Sequence, residues 1–236
     1  MESVTAVPVL TIDGPSGAGK GAVSARVAVR LGWHVLDSGA VYRSVALAAL
    51  ESGVDLADEA ALVHLCADLD LAFSPGADGI AVSLGGRALG DALRAEAVGE
   101  ASSRVAAVAP VRSALLDLQR RFRRRPGLVA DGRDMGTVVF PDAPVKVFLD
   151  ASVDERARRR YRQLKENGED VTFDRLLSDL EARDRRDRDR AVSPTLPAAD
   201  AVVVDSTALS LVEVVEQVVK IAADRLDLEV AGATGG

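Results

Sequence analysis

The chain has 236 residues, a formal net charge of −7, and a composition that is 48% hydrophobic but only 3% aromatic. That length suits one large α/β domain with an aliphatic core, able to bury roughly 70–75% of the surface its unfolded form exposes without covalent staples. The acidic balance argues against a binder of nucleic-acid polymers, the lone cysteine Cys66 excludes an internal disulfide framework, and no apolar run nears the ~20 residues of a membrane span.

Residues 8–13 (PVLTID) form an apolar run ending in an acid, the composition of a buried strand. A glycine-rich turn follows, then a helix over 22–31 that Gly32 ends. Residues 34–37 (HVLD) read as a second strand, with helices expected over 40–52 and 58–69. The character changes across 70–88. There DLAFS, Pro75, Gly76, Gly79, IAVSL, Gly85 and Gly86 read as short antiparallel strands with tight turns, foreign to a doubly wound sheet. Helices are expected over 96–108 and 111–124, with Pro110 at a helix start, and strands over 127–131 (GLVAD) and 145–150 (VKVFLD). Two highly charged helices, 154–165 and 173–190, flank an ENGED turn. A last strand (201–205), a closing helix (209–226) and a flexible tail (231–236) complete the chain. This order predicts an α/β fold within 1–230, a central parallel sheet flanked by helices. The core takes about 7–37, 110–150 and 200–226. The excursions are 38–109, with an antiparallel insert at 70–109, and a helical lid at 154–190.

Gly14, Pro15, Ser16, Gly17, Ala18, Gly19 and Lys20 satisfy the G-x-x-x-x-G-K spacing. Glycines let successive N–H groups turn inward around a phosphate, and the following helix adds its positive end. Lys20 would reach the β- and γ-phosphates. A glycine-rich turn can spell this pattern by chance, but the strand before it and the helix after it favour a phosphate cradle. The usual hydroxyl residue after the lysine is missing: Gly21 and Ala22 stand there. Mg²⁺ is therefore expected to be held by the nucleotide's phosphates and water, with Ser16 or Asp13 assisting. Asp13 could equally be a structural hydrogen-bonder. The only asparagine, Asn167, lies in a turn, which disfavours a guanine-reading switch and leaves small-molecule kinases.

Four blocks carry a resemblance: IDGPSGAGKG, LDSGAVYR at 36–43, ADGRDMGTVVFPDA at 130–143 and RDRRDRDRA at 183–191. Together they resemble the bacterial cytidylate kinases, P-loop nucleoside monophosphate kinases, from about residue 7 to 226. The resemblance implies ATP with Mg²⁺ as phosphoryl donor and CMP or dCMP as acceptor. It gives the cradle, Gly14 to Ala22, to ATP, with Arg156 and Arg160 as lid arginines on its phosphates. It puts Ser38 and Arg43 around the CMP phosphate and sugar, and Arg133 on the phosphate. Ser103, Arg112 and Asp134 read the cytosine edge, while Arg183, Asp187 and Arg190 hold ribose and phosphate. Asp37, Tyr42 and Asp131 complete the CMP set.

The chemistry runs parallel. Cytosine offers an amine donor beside two acceptors, so Asp134 can accept while Arg112 and Ser103 donate; uracil would meet Asp134 acceptor to acceptor. Arg183, Asp187 and Arg190 fall at i, i+4 and i+7, one face of a helix, although alternating Arg and Asp more often form solvated pairs. Lys20, Arg43, Arg133, Arg160, Arg183 and Arg190 would supply positive charge to the transferring group. No general base is needed, because a phosphate monoester is already largely ionised near pH 7.

Arg158, Arg159 and Arg162 read as solvent-facing, His34 and His64 as structural, Cys66 as core, and Trp33 as packing at a helix-to-strand junction. The protein is expected to be cytoplasmic and monomeric, with no nucleic-acid or membrane partner. A kinase for another small acceptor and a non-catalytic nucleotide-binding regulator remain alternatives.

Overall fold

The apolar run after Pro8 becomes strand β1 (Val9–Asp13), buried at every position. The computed structural model describes residues 6–228 apart from 68, 77, 78, 167 and 191; the expected tail at 231–236 lies outside the described residues. β1 is central to a five-stranded parallel sheet of order β2-β6-β1-β7-β8, formed with β2 (His34–Asp37), β6 (Leu128–Gly132), β7 (Val145–Asp150) and β8 (Val202–Asp205). Helices cover both faces of this sheet, so β1, β6 and β7 are apolar almost throughout rather than alternating.

Register aligns the chemistry. Ile12 pairs with Asp131, Asp13 with Gly132 and Asp37 with Asp131, so three acidic strand ends meet at one edge of the sheet. That edge, beyond the carboxyl ends of parallel strands, is where open α/β sheets hold ligands.

Between β1 and β2 runs α1 (Lys20–Leu31), which begins at Lys20 itself, two residues earlier than composition suggested. It stops at Gly32, whose left-handed backbone lets its N–H reach Ala28 O and Val29 O. Helix α2 (Ser38–Ser52) starts directly after β2 because Asp37 caps it, accepting from Ala40 N at 2.8 Å. Helix α3 (Glu59–Leu65) ends earlier than position 69, since the chain turns at Cys66 to send Leu69 and Leu71 into the core.

The insert is antiparallel as expected: β3 (Leu71–Gly76), β4 (Gly79–Leu84) and the two-residue β5 (Arg87–Ala88). It is anchored rather than free-standing. Phe73 stacks edge-on against Phe122 at 5.1 Å, Ile80 packs into the core beneath α1, and Gly79 lies against Gly21. Helices α4 (Glu96–Val105) and α5 (Ala109–Arg120) follow. After β6 the chain makes a π-type turn, Met135–Val139, that composition did not signal. Then come α6 (Val153–Glu166), α7 (Phe173–Arg188) and, after β8, α8 (Leu211–Leu226), which Ser210 and Glu213 close with a capping box. Among the described residues no helix is long and apolar enough to cross a membrane.

Candidate active site

The turn after β1 requires glycine. Gly14 has φ +148°, and a Cβ there would fall 2.0 Å from Leu149 O. The loop so freed runs into α1, leaving Lys20 buried with its ammonium on Pro15 O at 2.9 Å. Beside this loop the sheet edge, α2, α4, α5 and α7 enclose a cleft of about 310 Å³. Ser16, Gly17, Gly19, Lys20, Gly21 and Ala22 line one end. Around the rest stand Asp37, Ser38, Tyr42, Arg43, Ser103, Arg112, Asp131, Arg133, Asp134, Arg183, Asp187 and Arg190, so every expected acceptor-side residue borders one cavity.

Burial dominates the electrostatics. It lowers the Lys20 ammonium, helped by the nearby Arg133 charge, and raises the Asp131 carboxyl; the attraction between the two opposes both shifts. Asp13 is pushed up to about 6, again by burial, against the pull of two backbone amides. Those amides are Met135 N and Gly136 N, each donating to one Asp13 oxygen at 2.8 Å. Asp13 therefore anchors the π turn, the structural half of its two readings. Gly136 makes this possible, since a Cβ there would meet Thr11 Oγ1 at 2.9 Å.

Cations converge on the middle of the cleft. Arg43 pairs with Asp37 at 2.8 Å. Asp187, 2% exposed, accepts from Arg133 Nε at 3.2 Å and also pairs with Arg190. Arg190 lies past the end of α7, so the turn at Asp189, and not helical periodicity, returns it to Asp187. Arg183 is different. Its Nε is buried without a hydrogen-bond partner, and burial followed by the Arg133 charge pushes its guanidinium down to about 10. Asp187, which pairs with Arg133, also attracts Arg183 and offsets part of that repulsion, and a bound anion would offset more.

At the far end Arg112 pairs with Asp134 and lies over the Tyr42 ring, 5.5 Å from its centroid. Arg112 and Asp134 were expected to meet a base separately, yet here they hold each other. A carboxylate has about four lone-pair sites, so Asp134 keeps capacity to accept more. Ser38 donates its hydroxyl to Gln119 Oε1 at 2.7 Å.

The lid arginines sort differently from the sequence. Arg156 is buried and structural: it donates to Ala151 O, to Ser16 O at 2.9 Å and to both oxygens of Asp184. Arg160 does not line the cleft and donates to Gln163. Arg159, read as solvent-facing, instead reaches Ala18 O at 3.4 Å and Ser206 O at 2.6 Å, tying the glycine loop to the segment after β8. Five similar arginines within seven positions gave no signal to separate it. Gln119 was also missed, although an amide at i+4 from Leu115 on a buried helix face is a visible anomaly. Cys66 donates to Leu62 O within the core, and Trp33 packs against Gly127 at the expected junction.

No group of three or more His, Cys, Asp or Glu among the described residues is arranged to hold a metal. Comparison with known proteins bears on the whole chain. Residues 10–224 match the family model for cytidylate kinase. A cytidylate kinase of Aeromonas hydrophila is 58% identical over 219 residues, 93% of this chain and 95% of that one. That of Klebsiella pneumoniae is 57% identical over 220 residues, 93% and 97% of the two chains. A crystal structure of an uncharacterized protein from Eubacterium ventriosum superposes with a TM-score of 0.50 at 10% identity, covering 93% of this chain and 99% of that one, a likeness of fold.

Proposed function

The chain belongs to the cytidylate kinase family, and from that membership we propose how its cleft moves the γ-phosphoryl of ATP onto CMP or dCMP, giving ADP and CDP or dCDP. The observation that carries the proposal is the polarity of this cavity. A lysine-bearing phosphate cradle stands at one end and a buried Arg–Asp pair at the other. The under-bonded guanidinium of Arg183 lies beside Arg133 between them.

Gly14 to Ala22 would wrap the donor's phosphates, with Lys20 on the terminal ones. Arg43, Arg133, Arg183 and Arg190 would take the acceptor phosphate, leaving Arg112, Asp134 and Ser103 to the base, and Asp37, Ser38, Tyr42, Asp131 and Asp187 to brace and complete the site. The transferring group spreads charge over its oxygens, so positioning and electrostatic stabilisation do the catalytic work. The acceptor oxygen is ionised near pH 7 and needs no base.

Mg²⁺ fits the site as part of the nucleotide substrate. The described residues offer no cage, and Asp13 is occupied by two amides. Asp131, next to Lys20 and facing Gly21, is the best-placed carboxylate to assist, with Ser16 on the loop. The ion would neutralise phosphate charge. Arg159 rather than Arg160 is the lid arginine supported near the cradle; Arg160 would have to leave Gln163 to reach ATP. A monomer suffices for this chemistry, since one chain supplies both ends of the cavity.

A coupled assay with ATP and either CMP, dCMP, UMP or AMP tests the proposal. Rapid ADP release with the two cytidine nucleotides alone is expected. Release with AMP or UMP at equal rates indicates another acceptor, and release with none a non-catalytic nucleotide binder.

A further inference from the structure

Gln119 sits on the buried face of α5 with Val111 and Leu115, and is 1% exposed. Its amide is fixed from two sides. Nε2 donates to Leu115 O at 3.3 Å. A carbonyl can only accept, so the nitrogen must be the atom that faces it. Oε1 is thereby turned toward Ser38, whose hydroxyl donates to it at 2.7 Å. A serine hydroxyl has one proton. With that proton held inside the protein, Ser38 shows the cleft only lone pairs.

We infer that Gln119 is a positioning residue that sets the hydrogen-bond polarity of Ser38, making it an acceptor-only element of the cleft and so tilting selection toward nucleotides with a donor at that point. The inference rests on the proposal that this cleft takes CMP. The resemblance put Ser38 around the CMP phosphate and sugar; with its proton on Gln119 it has none to donate to either. Ser38 is one helical turn before Tyr42; Arg112 lies over the Tyr42 ring and pairs with Asp134, so Ser38 stands at the base-reading corner. A cytosine amine carries two hydrogens and can satisfy two acceptors. Uracil offers a carbonyl in the same place and leaves Ser38 opposed, the kind of mismatch that polar sites reject strongly.

The test is a double-mutant cycle on selectivity, taken as the ratio of kcat/KM for CMP to that for UMP. Gln119→Met keeps length and apolar volume but releases the Ser38 proton, which can then be donated to a uracil carbonyl. The ratio should fall about tenfold or more, chiefly through a lower KM for UMP. In a Ser38→Ala background the same change should leave the ratio where Ser38→Ala alone put it. Gln119→Glu, whose carboxylate still accepts from Ser38, should hold the wild-type ratio above pH 7. It also carries the test should the Met variant not fold. An unaltered ratio in Gln119→Met, an equal fall with Ser38 absent, or a loss of selectivity in Gln119→Glu would overturn the inference. A wild-type protein inactive on CMP would instead overturn the proposed function beneath it.

Discussion

Lys20 and Asp13 stand seven residues apart at the same sheet edge, and burial acts on both in opposite senses. For Lys20 it lowers the ammonium, so the charge that the site needs is held against a desolvation cost. Replacing it in Lys20→Met should relieve that cost and leave the fold intact by circular dichroism, while turnover falls by about 10²–10³-fold; normal turnover in a folded variant would remove Lys20 from the chemistry. For Asp13 the folded carboxyl titrates at about 6, above its ordinary 3.8, so the folded state binds the proton more tightly than the unfolded one. Its contribution to stability is then greatest below pH 4 and is lost as pH rises through 6. Measured by urea unfolding, wild type should lose about 3 kcal/mol relative to Asp13→Asn between about pH 3 and 7, about 2 kcal/mol of it between pH 4 and 6. A difference that grows with pH would mean the carboxylate is stabilised, not strained, by its two amides.

At the scale of elements, α6 and α7 grip the core through arginines that face inward. Arg156 holds Ser16 O and Asp184, Arg159 joins Ala18 to Ser206, and Asp187 gathers Arg133 and Arg190. Arg159→Ala should loosen the glycine loop from the segment after β8, raising KM for ATP about tenfold with KM for CMP unchanged; equal changes in both would mean a general loss of structure. The elements themselves were legible in the sequence, because buried parallel strands are continuous apolar runs and the antiparallel insert is punctuated by glycine and proline. What the sequence could not separate was one arginine from its neighbours. Arg156, Arg159 and Arg160 differ only in which face of α6 meets the core, and that depends on how the helix docks. The π turn at Met135–Val139 was equally hidden: it exists because Asp13, distant in sequence, captures two amides there.

For the whole molecule, the acidic net charge of −7 conceals a cavity rich in arginine. The charge that matters is placed by sheet register and helix docking, not by composition. The glycine loop was readable because backbone geometry restricts its residues, whereas the GRDMG block was legible only through the resemblance it carries. The bracing contacts were not, since Gln119 and Asp187 take Ser38 and Arg133 as partners from elements far along the chain.

A crystal structure with CMP and a non-hydrolysable ATP analogue tests the central claim most directly. The account expects the ATP γ-phosphate on Lys20, the CMP phosphate between Arg133 and Arg183, and the cytosine within hydrogen-bonding distance of Arg112 and Asp134. CMP bound outside this cavity, or a base turned away from Arg112 and Asp134, would contradict it.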